Sequence, residues 1–209
     1  MIKQLDFSYK KDLLFLAVVY AAGIIGTHFS GEFLKLSFVS LIIPTVLFLI
    51  RLQPSLKNLM LLAIVFIITF FAEWIGVNYG WIFGEYIYGD SLGFKIGGVP
   101  LMIGVNWVLL SIVSRQALFG FIKNKYLVAL LSPVVMLIID LILEPIAPEL
   151  DFWNWNNINV PISNYRDWVI VALISQCVLL NFKKLDKLIF WSIMYLIILT
   201  LFFLSFYLK

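Results

Sequence analysis

Of the 209 residues, 63% are hydrophobic and only 13% charged, and the mean hydropathy is +1.02. A water-soluble domain of this length cannot hide so much apolar surface, so a soluble protein is excluded. The net charge of +3 is spread over several connections rather than gathered on one face, which argues against a nucleic-acid partner.

Seven apolar stretches follow in chain order, each near the ~20 residues that a helix needs to cross a bilayer. They are Leu13–Phe29, Phe33–Ile50, Leu56–Ile75, Val99–Val113, Tyr126–Leu143, Trp168–Phe182 and Leu188–Tyr207. The fourth and sixth are short and hold Asn106 and Gln176. The first follows Lys10 and Lys11 as a leader peptide would, but it ends in Thr27-His28-Phe29 without a small-residue cleavage pair, so it is expected to be a helix. The fold expected is all-α: one integral membrane domain over residues 1–209, a polytopic transmembrane bundle of about seven spans.

Lys and Arg alternate between the connections. Lys3, Lys10, Lys11, Arg51, Lys57, Arg115, Lys123, Lys125, Lys183, Lys184 and Lys187 fall in one set; Lys35, Lys95, Arg166 and Lys209 fall in the other. Eleven against four predicts N-in, C-out, in a membrane such as the bacterial cytoplasmic membrane. The connections Asn78–Gly98 and Glu144–Asp167 then lie on the outer side. Cys177, the single cysteine, permits no intramolecular disulfide and is expected to serve packing.

Those two outer connections and the helix ends beside them carry most of the acids and tryptophans. Carboxylates beside a low-dielectric slab are costly unless they serve a purpose. Asp140 and Glu144 are four apart, on one helical face if the fifth helix continues that far, and Pro145 then ends it. Two carboxyls so close, partly desolvated, do not both ionise, and one that keeps its proton can serve as an acid. The competing reading is that Asp140 only bonds an Asn or Trp across the bundle. Glu73 is the counterpart acid at the end of the third span. Gly76, Gly80 and Gly84 after it permit either a close helix approach or turns. Glu85 is a further candidate, whereas Asp90 reads better as an interfacial carboxylate.

A weak repeat runs through this region. Val99-Pro100-Leu101 leads to Trp107 as Val160-Pro161-Ile162 leads to Trp168, each after a span with an acid near its outer end. A parallel duplication with two half-sites around one cavity and a coincidence of Pro-started helices both remain open. Trp and Tyr gather at membrane interfaces in any case. Here Trp81, Phe83, Tyr86, Tyr88, Trp153 and Trp155 crowd two connections, and aromatic faces stabilise a cation by roughly 2 kcal/mol once desolvated. Phosphate loops, dinucleotide fingerprints, serine elbows and His/Cys metal clusters are absent, and His28 is the lone histidine, expected in packing. No metal or cofactor is expected.

Glu73-x-x-Gly76-x-x-x-Gly80-x-x-Phe83-Gly84-x-Tyr86-x-Tyr88, Leu92-Gly93 and Gly98-Val99-Pro100-Leu101 with Trp107 form one signature. Asp140, Glu144-Pro145, Trp153-x-Trp155, Val160-Pro161-Ile162, Asn164 and Trp168 form a second. Together, over residues 73–168, they resemble the CruF-type carotenoid biosynthesis proteins, the carotenoid 1,2-hydratase family. The chain departs from that pattern at Asp167, where Gly usually stands, and at Ile158-Asn159, where an aromatic-Gly pair is usual. The resemblance implies a cofactor-independent hydratase that adds water across the terminal C1=C2 bond of an acyclic carotenoid ψ-end such as that of lycopene or γ-carotene. In that reading Asp140, or Glu73 as its rival, protonates the alkene. Aromatic faces then hold the tertiary cation, and the second acid guides water with help from Asn106, Asn164 or Glu85.

A cyclase using the same acid trigger in a drier cavity is the first alternative, against which Asn106 and Asn164 favour water. A non-enzymatic carrier of a small hydrophobic solute is the second; it would need carboxyls at several depths, and here they cluster at one end. An assembly subunit is the third. Oligomeric state is not readable from the sequence.

Overall fold

A computed structural model describes residues 7–156 and 159–208; Lys3, Lys209 and Ile158, used above, lie outside them. The described residues form seven α-helices: α1 (Phe7–Phe29), α2 (Ser37–Leu52), α3 (Leu56–Tyr79), α4 (Leu101–Leu118), α5 (Lys125–Leu143), α6 (Ile162–Val178) and α7 (Asp186–Ser205). All but α6 are long and apolar enough to cross a membrane, and the chain is a polytopic all-α membrane protein. The 17 residues of α6 rise ~25 Å, slightly less than a bilayer core, before a short 3₁₀ turn at Leu179–Asn181.

Hydropathy misplaced several helix boundaries, those of α4 and α6 among them. α4 and α6 both start directly after a proline, Pro100 and Pro161, whose φ near −65° and missing N–H suit a helix entrance. In α6 the polar residues Asn164, Arg166 and Asp167 fill the first turns, so the apolar run begins only at Trp168 and the helix starts six residues before it. Cys177 also differs from expectation: it is exposed on the outer surface of α6 rather than packed inside. His28 is hydrogen-bonded as expected but exposed, with Nδ1–H donating to the Ile24 carbonyl at 2.8 Å and the ring stacked on Phe206.

Packing order explains where a site can form. α3, α4, α5 and α6 form a ring of neighbours, each touching the next, and α6 closes back on α3. α2 and α7 flank α4 on the other side, and α1 bridges them. The bidentate pair Arg51–Asp12, at 2.6 and 2.8 Å, ties α1 to α2. Pro44 inside α2 leaves the Ser40 carbonyl without its helical donor, and Tyr20 of α1 fills it at 3.0 Å. At the far end of α4, buried Arg115 donates to the Gln176 side chain and the Leu180 carbonyl, holding the end of α6.

The connections after α3 and α5 meet at one end of the ring. Gly80 ends α3 in the left-handed conformation, φ 66°, and returns its N–H to the Gly76 carbonyl. The loop folds back so closely that a methyl on Gly76 would stand 2.8 Å from the Tyr86 hydroxyl and the Ile82 carbonyl. Gly80 and Gly84 thus serve turns, whereas Gly76, inside α3, permits the close approach of the returning loop. Strand β1 (Tyr86–Tyr88) follows, then a hairpin of β2 (Lys95–Ile96) and β3 (Val99–Pro100) that feeds α4. Strand β4 (Trp153–Trp155) lies between α5 and α6 and pairs antiparallel with β1: Tyr86 faces Trp155, Ile87 faces Asn154, Tyr88 faces Trp153. Asp151 locks this ribbon, its Oδ2 accepting the N–H groups of Asp90 and Ser91 at 2.8 and 3.0 Å. Directly opposed residues of an antiparallel pair stand ~4.5–5.5 Å apart at Cα, within reach of a disulfide. A variant with Cys177 removed and cysteines at Ile87 and Asn154, both on the outer face, should therefore cross-link under mild oxidation, read as a shift on a non-reducing gel. Two persistently free thiols would contradict the pairing.

Candidate active site

Alternation along β1 and β4 puts four rings on one face of the ribbon. Tyr86 packs on Trp155 and Tyr88 on Trp153, with centroids 5.1 and 6.2 Å apart, while Ile87 and Asn154 point outward. Every one of the four also carries a donor, and the four donors divide between two buried carboxylates. Glu73 accepts from Tyr86, from Tyr88 at 2.8 Å and, on its other oxygen, from Trp107 Nε1 at 2.8 Å. Glu144 accepts from the indoles of Trp153 and Trp155 at 3.1 and 2.9 Å and from Asn164 Nδ2 at 2.8 Å. Burial, reinforced by the Glu73 charge, holds the Tyr86 and Tyr88 phenols well above their ordinary pKa, so both remain donors at any physiological pH.

Asp140 is arranged differently. The helix runs through to Glu144, whose N–H bonds the Asp140 carbonyl, so the two acids share a face as the spacing required. The Asp140 carboxyl is buried, yet no donor reaches its Oδ2. Donor-rich Glu73 and Glu144 thus flank a bare Asp140, and all three line one cavity of about 60 Å³. Trp107 and Trp168 stack across it at 3.9 Å, with Phe83 beside Trp107. Asn106 and Asn164 also line it; Asn164 is spent on Glu144, whereas the Asn106 amide is half-buried at the cavity wall.

Of the residues singled out from sequence, two stand elsewhere. Trp81 is 77% exposed and stacks on Tyr79, outside the cavity. Glu85 also lies off the lining; its carboxylate accepts a long 3.4 Å contact from the Asn156 amide, and its carbonyl accepts the Asn156 N–H at 3.1 Å. Asp90 sits at the surface, where hydrogen bonding and charge from Lys95 at 2.7 Å lower its pKa. Asp167, the departure from the family pattern, accepts the Phe83 N–H at 3.1 Å and so holds that residue in its left-handed conformation, φ 66°. The apolar wall was not foreseen: Leu41, Leu110, Leu199 and Phe203 are ordinary core residues by sequence and carry no distinguishing signal. No group of three or more His, Cys, Asp or Glu among the described residues has the arrangement of a metal site.

The halves match in layout. Pro100 and Pro161 both stand at helix entrances with near-identical dihedrals, Trp107 and Trp168 follow seven residues on and stack, and β1 opposes β4. By hydrogen-bonding pattern the partner of Glu73 is Glu144. The position matching Asp140, one turn earlier, is Thr69, whose hydroxyl is spent on the Val65 carbonyl at 2.9 Å. The acid without a donor therefore exists in one half only.

A polytopic membrane bundle with buried acids under an aromatic roof defines the class, and the chain belongs to the carotenoid biosynthesis protein family, which it matches over residues 33–208. It is also similar to the bisanhydrobacterioruberin hydratase of Haloarcula japonica, 33% identical over 106 residues, which cover 47% of this chain and 36% of that protein. The chain thus aligns with little more than a third of that relative's length. No solved structure matches the chain.

Glu73→Leu would strand three buried donors, at ~1–3 kcal/mol each. Its thermal unfolding in detergent should fall well below that of Glu73→Gln, which retains one acceptor oxygen. Equal melting of the two variants would show that the donors do not depend on Glu73.

Proposed function

We propose that the chain is a carotenoid hydratase that adds water across the terminal trisubstituted double bond of an acyclic ψ-end, through a tertiary cation. The observation that carries this reading is the contrast among the three carboxyls. Hydrogen bonds to a carboxylate favour its charged form, so Glu73 and Glu144, with three donors each, serve as fixed negative charges. Asp140, buried beside both with no donor at Oδ2, is the group that holds a proton. Family membership and the likeness to a hydratase support the same chemistry.

The steps follow from that assignment. Asp140 delivers its proton to the less substituted alkene carbon, and the C=C pair forms the new C–H bond, leaving the tertiary carbon positive. Glu73, Glu144 and the stacked Trp107 and Trp168 surround that charge; preformed charges aimed at a developing cation act at full strength in a dry cavity. Asn106 positions water, whose oxygen bonds the cation and whose proton returns to Asp140. The balance is one water added, with no electrons exchanged and no cofactor required by any step. The cavity volume suits a chain tip and a few waters, since a water needs ~10–15 Å³. The Lys and Arg distribution supports placing this end of the bundle at the outer face of a bacterial cytoplasmic membrane.

Expression in lycopene-producing cells should yield pigment heavier by one water; unchanged mass with a shifted spectrum would mean cyclisation, and unaltered pigment would refute the reading. Asp140→Asn should lower product at least ~100-fold, the scale of a lost general acid, with the protein still folded. Near-normal product would remove Asp140 from that role. A long-chain N,N-dimethylamine, charged where the carbon cation would be, should inhibit far better than the alcohol of equal length; equal inhibition would argue against cation stabilisation.

A further inference from the structure

The cavity is not symmetric although the helices around it are. Its polar part is enclosed by α3 to α6 and the ribbon. The same cavity is also lined by Leu41 of α2, Leu110 of α4, Leu143 of α5, and Leu199 and Phe203 of α7, an apolar arm of the lining that draws on helices outside the α3–α6 ring. Tyr207, in the short 3₁₀ turn after α7, donates to the Ile142 carbonyl at 2.8 Å and ties that end of the chain to α5. α2 is the least buried of the six long spans and is interrupted by Pro44 one turn from Leu41.

We propose that this apolar arm is the subsite for the hydrocarbon chain next to the reacting end, and that it holds that chain extended. The inference rests on the hydratase reading and deepens it. An extended polyene is far longer than this cavity, so the chain behind the reacting tip must leave along part of its lining. The arm is the continuation made only of apolar groups, and α2 is the wall that gives way as the chain enters from lipid. Ring closure requires the chain to fold back so that an internal double bond reaches the tertiary cation. A chain drawn straight between Leu41 and Leu199 cannot do so, which leaves water as the nucleophile. Leu41, Leu199 and Phe203 thus determine specificity without touching the proton or the water.

The test compares two substrates in purified protein reconstituted in vesicles: lycopene, and 2-methyl-2-pentene, which carries the same trisubstituted end but almost no chain. Leu199→Trp fills the arm and should cut lycopene hydration by ~10–100-fold, the range set by steric changes in an apolar pocket, while 2-methyl-2-pentene hydration stays within about twofold. Leu199→Ala widens the arm and should release a fraction of cyclised or isomerised end group from lycopene, a product change that simple destabilisation does not create. If Leu199→Trp affects both substrates alike, or neither, and Leu199→Ala makes only hydrated product, the arm is refuted while the hydratase reading stands. If the unaltered protein hydrates neither substrate, the function itself fails and the arm with it.

Discussion

Two buried carboxylates, each gripped by three donors, are the constraint on which the site end of this molecule is built. An ionised carboxyl inside a bilayer-spanning bundle is tolerated only when its lone pairs are filled. Glu73 and Glu144 obtain their donors from segments distant in sequence: a returning strand and the next helix in each case. The requirement therefore folds both connections back over the helix ends, sets the strand register, and fixes how α4 and α6 sit against α3 and α5. Charge-assisted bonds of this kind contribute ~1.5–3 kcal/mol each, so six of them outweigh the intrinsic weakness of a two-stranded ribbon.

The same grip sets Asp140 apart from the other two acids. Because the donors are consumed by Glu73 and Glu144, Asp140 is left without one beside them, and this is the group to which the proposed hydration assigns the proton. The matching layout of the two halves supplies the frame, and one difference, Asp140 in one half against Thr69 in the other, breaks the match. A symmetric pair of acids would leave the proton and the water without assigned sides.

Much of this was readable in the sequence. Apolar run lengths gave the spans, the four-residue spacing put Asp140 and Glu144 on one face, and the Val-Pro…Trp offset marked both half-sites. The ribbon was not recognised, although Tyr86-Ile87-Tyr88 and Trp153-Asn154-Trp155 alternate with the period of a strand; inside an otherwise helical chain, three-residue strands fall below what periodicity resolves. The α6 boundary was missed because its first turns face a polar site rather than lipid, which defeats hydropathy. Trp81 and Glu85 were drawn in by proximity along the chain, yet the tight turn at Gly80 and Gly84 leaves them outside the roof that Tyr86 and Tyr88 enter. Leu199 and Phe203 gave no signal because an apolar wall and an apolar core share one composition.

The most direct test is infrared spectroscopy of the purified protein at neutral pH, where carboxylic acid and carboxylate groups absorb apart. One protonated carboxyl band is predicted, present in the unaltered protein, kept in Glu73→Gln and Glu144→Gln, and lost in Asp140→Asn. A band that survives Asp140→Asn and disappears with either glutamate would contradict the account.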